Sequence, residues 1–386
     1  MKPMVRSNVC LNAHPEGMGI HVQDQIDYVK AQKKFDGPKN VLVIGGSAGY
    51  GIATRIAAAF GGGAKTISLA FEKPASEKRG ASVGWYASEY FKKKAEGEGL
   101  FTQNIYGDAF SREIKDETIA QVKKNFGKAD LVVYSLASGV RTDPETGTMY
   151  RSVLKPLGKT FSAQSVNPMT GELTTASIEP ATEEELAATV KVMGGEDWEL
   201  WIDALLDAQA LAPGAVALAY SYIGPEITRA VYREGTIGKA KEHIEASAKV
   251  LDKKMRALGG GAYISVNKAV VTRASAVIPI VPLYTGILFK ILEAKGLQES
   301  CVQQMYRMFT QRLCTGGPVP TDNEGRIRMD DWEMREDVQK EVAEAWNTVS
   351  QETLARYADF KAYETEFLQL HGFGYPQIDY EKDVQA

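Results

Sequence analysis

The sequence predicts a doubly wound parallel α/β fold, and three observations carry the prediction. Residues 41–44 (VLVI) form a short apolar run with no polar face, as strands buried on both sides of a parallel sheet do. The run meets glycines at Gly45, Gly49 and Gly51, after which Ile52, Ile56 and Phe60 recur at helical spacing. The alternation of apolar run and helical pattern then continues toward residue 290, and such units join right-handedly into one parallel sheet. With 386 residues and 44% hydrophobic content, the chain can bury a sizeable core.

Ahead of the first strand, Ile20, Val22, Ile26 and Val29 predict an amphipathic helix ending before Gly37-Pro38. His14 and His21 have no cysteine or carboxylate cluster beside them. They are read as structural, and no metal site is expected. Strand, glycine turn and helix N-terminus over 40–62 together predict a pyrophosphate site. Glycine lets the backbone approach the phosphates, and the free amides and positive dipole end of the helix meet their charge. The G-x-x-x-G-x-G spacing lies in the strand–turn–helix context that a dinucleotide motif requires.

The second strand, 65–71 (KTISLAF), runs into Glu72, about 20 residues beyond Gly51, where such a unit places the carboxylate for the adenosine ribose. That carboxylate accepts hydrogen bonds from NAD and repels a 2′-phosphate. NADH is therefore the expected cofactor, with Lys73 as a partial counterweight. Residues 73–100 read as a crossover with an extra surface segment around Trp85 and Tyr86. The third strand, 101–107, leads to Asp108 and Ala109. Asp108 either faces the adenine edge or caps the next helix, 111–126. The fourth strand, 129–136, is followed by Ala137, Ser138 and Gly139, small enough for a cofactor to pass closely.

Residues 140–212 interrupt the alternation. Turn signals at 143–147 (DPETG) and 167–171 (NPMTG) predict one or two hairpins, and Trp198, Trp201, Ile202 and Leu205 mark an amphipathic helix. Gly158-Lys159-Thr160 has the ending of a Walker loop, but Val153 replaces its first glycine and no strand precedes it. That reading is rejected. Residues 215–221 and 262–266 are the fifth and sixth strands. The apolar stretch 269–289 approaches membrane-span length, yet holds Arg273, Pro279 and Pro282. It reads as a buried strand, a loop and a helix start, so no membrane span is expected. Beyond 290 a helical region is expected, closing in a short aromatic and acidic tail at 372–386. The predicted organisation is one integrated domain over 1–386: a Rossmann core over 40–290, a hairpin/helix insertion over 140–212 and a helical C-terminal cap over 291–386.

Net charge is −4 and the pI near 5.8, with no Lys/Arg stripe, which argues against a nucleic-acid partner. Three scattered cysteines fit neither a disulfide framework nor a zinc site, and the N-terminus shows no signal-peptide core. A cytoplasmic protein is expected.

The chemistry is read from 219–245. Tyr220, Tyr222, Tyr232, Lys239 and Lys241 crowd the segment after the fifth strand, where open α/β sheets bring substrate to cofactor. On one continuous helix, at about 100° per residue, Tyr232 and Lys241 would stand on opposite faces. Gly235 and Gly238 allow the chain to turn between them, which puts Tyr232 just before the main helix and Lys241 in its first turns. A lysine there holds the nicotinamide ribose and lowers the phenol pKa. The phenol donates to the oxygen that becomes negative as hydride arrives. On spacing alone, a half-buried helix tyrosine and a solvated lysine remain the alternative.

Several motifs extend this. Tyr232–Lys241 as Y-x8-K, GGSAGYG at 45–51 and NKAVVTRASAVIPI at 267–280 resemble the FabV-type enoyl-acyl-carrier-protein reductases and trans-2-enoyl-CoA reductases. So do AYSYIGPE, VKVMGGEDW and SLASGVRTDPETG, and the resemblance runs from NVCLNAHP to GFGYP at 372–376. It implies an enlarged short-chain dehydrogenase/reductase, commonly monomeric, that uses NADH to reduce the 2,3 double bond of an acyl-CoA or acyl-carrier-protein thioester. Tyr232 would be the proton-donating tyrosine, Lys241 the NAD-binding lysine and Tyr222 the substrate contact. Gly45, Gly46, Ser47, Ala48, Gly49 and Tyr50 would form the pyrophosphate loop, and Phe71 with Glu72 the adenosine clamp. Asp108, Ala109, Leu136 and Ala137 would be later cofactor contacts, and Val270, Val271 and Thr272 the segment beside the nicotinamide. Residues 279–289 either line an acyl pocket or belong to plain core. Two rival readings are weighed. A short-chain carbonyl reductase is opposed by Y-x8-K in place of Y-x3-K, and a non-catalytic NAD-sensing protein by the Tyr/Lys pair.

Overall fold

The structure, a computed structural model, describes residues 1–6, 9–77, 79–167, 170–273, 275, 278 and 280–382. Its centre is a parallel sheet of seven strands: β1 (Asn40–Ile44), β2 (Lys65–Ala70), β3 (Thr102–Tyr106), β4 (Ala129–Tyr134), β5 (Leu211–Ser221), β6 (Gly261–Val266) and β7 (Arg326–Arg328). Their order across the sheet is β7-β6-β5-β4-β1-β2-β3. The strand order reverses between β1 and β4, and the space beyond the carboxyl ends of strands that part this way is the usual ligand position in such sheets.

Val41, Leu42, Val43 and Ile44 are all fully buried, which explains the uninterrupted apolar run. Alternate residues serve opposite layers: Val41 and Val43 pack in one core, Leu42 and Ile44 in the other. Each such side chain contributes about 1.5–3 kcal/mol by leaving water, so β1 anchors both layers. The first core is built with α1 (Pro15–Ala31), α2 (Gly49–Ile56, prolonged by a π-helical turn to Gly61) and α3 (Val83–Gly97). The second uses α4 (Arg112–Asn125), then α5 (Glu183–Met193) as a flanking element, α6 (Glu196–Asp207) and α7 (Thr236–Arg256). The C-terminal region supplies α8 (Val281–Ala294), α9 (Cys301–Met308), α10 (Glu336–Thr348), α11 (Leu354–Tyr357) and α12 (Phe360–Gln369). No helix among the described residues is long and apolar enough to cross a membrane.

The 140–212 insertion contains two hairpins, Val140–Thr142 with Met149–Arg151 and Phe161–Asn167 with Glu172–Ile178. Trp198 and Trp201 of α6 are fully buried. His14 serves the backbone, its ring accepting the Gly17 amide at the start of α1. Residues 371–375 are anchored against that same helix, with the His14 amide donating to the His371 carbonyl at 2.9 Å. A Cβ at Gly17 would fall 1.7 Å from the Gly372 carbonyl oxygen.

Three details differ from expectation. The C-terminal region is not helical throughout: β7 adds to the open edge of β6. Its three residues (RIR) carry no strand periodicity. Buried Ile327 and the ion pairs of Arg326 and Arg328 with Asp322 and Asp330 fix it there. No strand forms at 269–273, because β6 has already ended at Val266 and side chains take over backbone pairing. The Lys268 amide donates to Gln304 and the Ala269 amide to Glu333. A short N-terminal hairpin, Val5–Arg6 with Val9–Cys10, has no clear pattern in the sequence.

Candidate active site

Beyond the carboxyl end of β1 stands the glycine turn. Gly45 and Gly49 have φ of +89° and +52°, which only glycine adopts freely. A Cβ at Gly45 would lie 2.3 Å from the Ser135 carbonyl oxygen, so the turn and the end of β4 close together only without one. α2 starts with Ala48 as its N-cap, with no side-chain cap and no acid in its first turn. Its first amides and positive dipole end are left for an anion. The Ser47 hydroxyl donates to Glu72 Oε1 at 2.8 Å. A Cβ at Gly84 would meet the same oxygen at 2.1 Å, so the Glu72 carboxylate sits wedged between the turn and the start of α3. Phe71 beside it is 72% exposed, with the Lys73 ammonium 5.7 Å from its ring centroid. Glycine turn, open helix end, acceptor carboxylate and exposed ring fit a dinucleotide with an unsubstituted ribose diol.

The loop after β3 removes one of the two alternatives for Asp108. Ser111 caps α4, its hydroxyl accepting the Ile114 amide at 3.3 Å; Asp108 does not. The Asp108 carboxylate accepts the Phe110 amide instead, at 3.0 Å. Ala109 is gripped from beneath, its carbonyl accepting from Lys115 Nζ (2.8 Å) and Trp201 Nε1 (3.1 Å). Lys115 in turn pairs with buried Asp197 at 2.7 Å. The insertion helix α6 therefore fixes this loop. Leu136 leans toward Gly45, its Cδ2 3.1 Å from a Cβ built there, and Ala137 follows it at the surface. Thr272 lies over the turn from the far side, 3.7 Å from a Cβ built on Gly49, with Val270 and Val271 buried behind it. Tyr50 ties the two walls together by donating to the Lys268 carbonyl at 2.7 Å.

The end of β5 carries the tyrosines of the candidate reacting end. Tyr220 turns away toward α2, sharing a hydrogen bond with Thr54. Tyr222 meets Tyr232 edge to face, with ring centroids 4.9 Å apart and planes at 81°. Tyr232 stands in the turn before α7 among Ile237, Ile278 and Val281. Burial, and then the Glu333 charge, raise its phenol pKa. Its hydroxyl makes no hydrogen bond among the described residues. A Cβ at Gly238 would lie 1.9 Å from the Arg233 carbonyl oxygen, so the chain folds tightly between Tyr232 and Lys241. Lys241 Nζ then reaches the Tyr220 carbonyl at 3.4 Å. Burial lowers its pKa to about 8, opposed by Glu245. No hydrogen bond joins Lys241 to Tyr232 among the described residues; Lys241 reaches the end of β5, and the Tyr232 ring packs on Tyr222 just beyond it. Lys239 instead forms an exposed pair with Glu242 at 2.9 Å.

Of the 279–289 stretch, Pro279 lies outside the described residues. Leu283, Tyr284, Ile287 and Leu288 are core against α10, whereas Val281 touches the Tyr232 cluster. Sequence reading missed Glu333 altogether. It accepts from Tyr222 (2.8 Å) and Tyr284 (2.6 Å) on Oε1 and from the Ala269 amide (2.6 Å) on Oε2. Its setting, DDWEMRED, reads as a solvated acidic stretch, relieved only by Trp332 and Met334.

Three family models match the chain. Residues 1–77 match the "NAD(P)H binding domain of trans-2-enoyl-CoA reductase" and 79–314 the "Trans-2-enoyl-CoA reductase catalytic region". Residues 321–384 match an "Enoyl reductase FAD binding domain". A trans-2-enoyl-CoA reductase [NADH] of Brachyspira hyodysenteriae is 52% identical over 389 residues, covering 100% of this chain and 99% of its own. An enoyl-[acyl-carrier-protein] reductase [NADH] of Cytophaga hutchinsonii is 51% identical over 384 residues, covering 100% and 97%. The crystal structure of Treponema denticola trans-2-enoyl-CoA reductase in complex with NAD superposes with a TM-score of 0.95. It is 53% identical and covers 100% of this chain and 98% of its own. The 321–384 segment does not fit a flavin dinucleotide. The strand among its described residues, β7, has its glycine, Gly325, in front of it rather than in a following turn, and its buried carboxylates are taken, Glu333 by tyrosines and Asp330 by Arg328.

Proposed function

Because the chain belongs to the family of NADH-dependent trans-2-enoyl-CoA and enoyl-acyl-carrier-protein reductases, we propose that it reduces the 2,3 double bond of a trans-2-enoyl thioester with NADH. The observation that carries this reading is the Tyr232 hydroxyl, which makes no hydrogen bond among the described residues and whose ring packs on Tyr222 just beyond β5. Bound NADH supplies the hydride. The turn from Gly45 to Tyr50 would hold the diphosphate through backbone amides, Glu72 the adenosine ribose, and Lys241 the nicotinamide ribose. Val270, Val271 and Thr272 would contact the nicotinamide, and Asp108, Ala109, Leu136 and Ala137 would complete the cofactor contacts. Tyr232 donates a hydrogen bond to the thioester oxygen as negative charge grows there, which favours the enolate. Protonation of the α-carbon, from Tyr232 or water, completes the reaction. Tyr222 positions the substrate, and Ile278 and Val281 offer an apolar wall to the acyl chain. Acyl-CoA and acyl-carrier-protein thioesters share the reacting group, and we extend the proposal to both as substrates of an enzyme that works as a monomer in the cytoplasm.

The test is NADH oxidation followed with crotonyl-CoA, and with a simple ketone as control. Turnover of crotonyl-CoA alone is expected. Turnover of the ketone alone would support a carbonyl reductase, and NADH binding without turnover of either would support a sensor.

Cofactor choice follows from Glu72. NADH is expected to exceed NADPH in kcat/KM, because a 2′-phosphate would face the Glu72 carboxylate. Glu72→Ala should narrow the gap by about tenfold, by removing one close like-charge contact. Competing steady-state titrations of the two cofactors measure this, and a parent enzyme that prefers NADPH would refute the placement of Glu72.

A further inference from the structure

Glu333 belongs to the segment joining β7 to α10, within the region expected only to cap the core. Its side chain is fully buried. The two carboxylate oxygens collect donors from three separate elements: Tyr222 after β5, Tyr284 on α8, and the Ala269 amide in the segment leading to Val270. Gln339 Nε2 holds the Glu333 backbone carbonyl at 2.7 Å. A buried carboxylate lacking such donors would cost several kcal/mol, so the three bonds are what make the position tenable. Burial pushes its pKa up, opposed by these donors and by the Lys268 charge.

The direction of each bond follows from the chemistry of its partners. A carboxylate only accepts, so the phenols must donate. Tyr222 has one proton, and Glu333 takes it. What remains on Tyr222 for a ligand is an oxygen lone pair and the ring. Tyr232, edge-on at 4.9 Å, keeps its proton uncommitted among the described residues. Two tyrosines in ring contact are thereby made unequal by a third residue more than a hundred positions away in the chain.

We propose that Glu333 is a positioning residue that sets the division of labour between the two tyrosines, engaging the Tyr222 hydroxyl and holding its ring as the wall against which Tyr232 stands. The proposal rests on the reductase reading above. In Glu333→Gln, an amide oxygen kept toward Ala269 leaves the NH2 facing the phenols. Tyr222 then accepts where it formerly donated.

The test is a double-mutant cycle of Glu333→Gln with Tyr222→Phe, read as kcat/KM for crotonyl-CoA, with NADH affinity and thermal melting measured alongside. Glu333→Gln should lower kcat/KM by about tenfold, the size of one hydrogen bond to a charged group. In the Tyr222→Phe background it should cost less than about twofold, because the residue it acts through is already altered. An equal loss in both backgrounds would overturn the proposal, showing that the carboxylate supports the fold generally. So would an unchanged kcat/KM in Glu333→Gln while the parent turns over crotonyl-CoA, and that result leaves the reductase reading intact. A parent that fails to turn over crotonyl-CoA refutes both. If Glu333→Gln does not fold, Glu333→Asp replaces it in the same cycle under the same criterion, since it keeps the charge but withdraws the oxygens by one methylene.

Discussion

Tyr232→Phe is expected to lower kcat by about 10²–10³-fold, the cost of removing one oxyanion donor in other enzymes, with lost proton donation adding to it. The structure makes this a clean experiment. The Tyr232 hydroxyl bonds to nothing else among the described residues, so its removal strands no buried partner. Ring packing against Tyr222, Ile237 and Val281 is kept. Folding and NADH affinity should barely move. The lost bond is strongest when the thioester oxygen is most negative, so kcat should fall much more than KM changes. Tyr222→Phe should be milder and act mainly through KM. It frees one acceptor site on Glu333, which still holds Tyr284 and Ala269. Steady-state kinetics beside thermal melts decide between them. If Tyr232→Phe keeps more than roughly a tenth of parental kcat while Tyr222→Phe is nearly inactive, the two roles are exchanged.

Lys241→Met is expected to weaken NADH binding by about 10- to 100-fold, the range for a hydrogen bond to a charged group, and to slow turnover as well. Burial holds the Lys241 ammonium near a pKa of about 8, with Glu245 the opposing charge. The sign of the pH dependence follows. The cation that meets the cofactor is lost as pH rises through that value, so NADH affinity should decline above about pH 8 in the parent. That decline should vanish in Lys241→Met. For stability the sign is opposite: the folded pKa lies below the model-compound value of about 10.4, so the unfolded chain binds more protons between the two. This group's contribution to stability therefore rises with pH across that window. At pH 7 Lys241→Met should melt no lower than the parent, which separates lost charge from lost fold. Lys239→Met is the control, its exposed pair with Glu242 being worth little. Fluorescence titration of NADH across pH measures all three proteins. Equal losses at both lysines would show the nine-residue pairing to be misread.

The legible parts of this chain were those whose causes are local. β1, β4, β5 and β6 are largely buried central strands, and burial on both faces writes itself as apolar runs, whereas the edge strand β3 (TQNIY) is only half buried. The turn at Gly45 and Gly49 and the fold-back at Gly238 need glycine for steric reasons that spacing alone reveals. What sequence left open was settled at long range. Asp108 and Ser111 are both good cap residues, and only the helix start chose Ser111. β7 exists because β6 offers an edge, not because RIR prefers a strand. Glu333 resembles its acidic neighbours until the fold carries Tyr222, Tyr284 and Ala269 to it.

The central claim is that reduction occurs at the carbon–carbon double bond of the thioester, and the fate of the transferred hydrogen tests it most directly. Crotonyl-CoA is turned over with NADH deuterated at both C4 positions, and the product is analysed by mass spectrometry and NMR. The account predicts butyryl-CoA with one deuterium on carbon 3 and a solvent-derived hydrogen on carbon 2. Deuterium on the former carbonyl carbon of an aldehyde or alcohol product would contradict it.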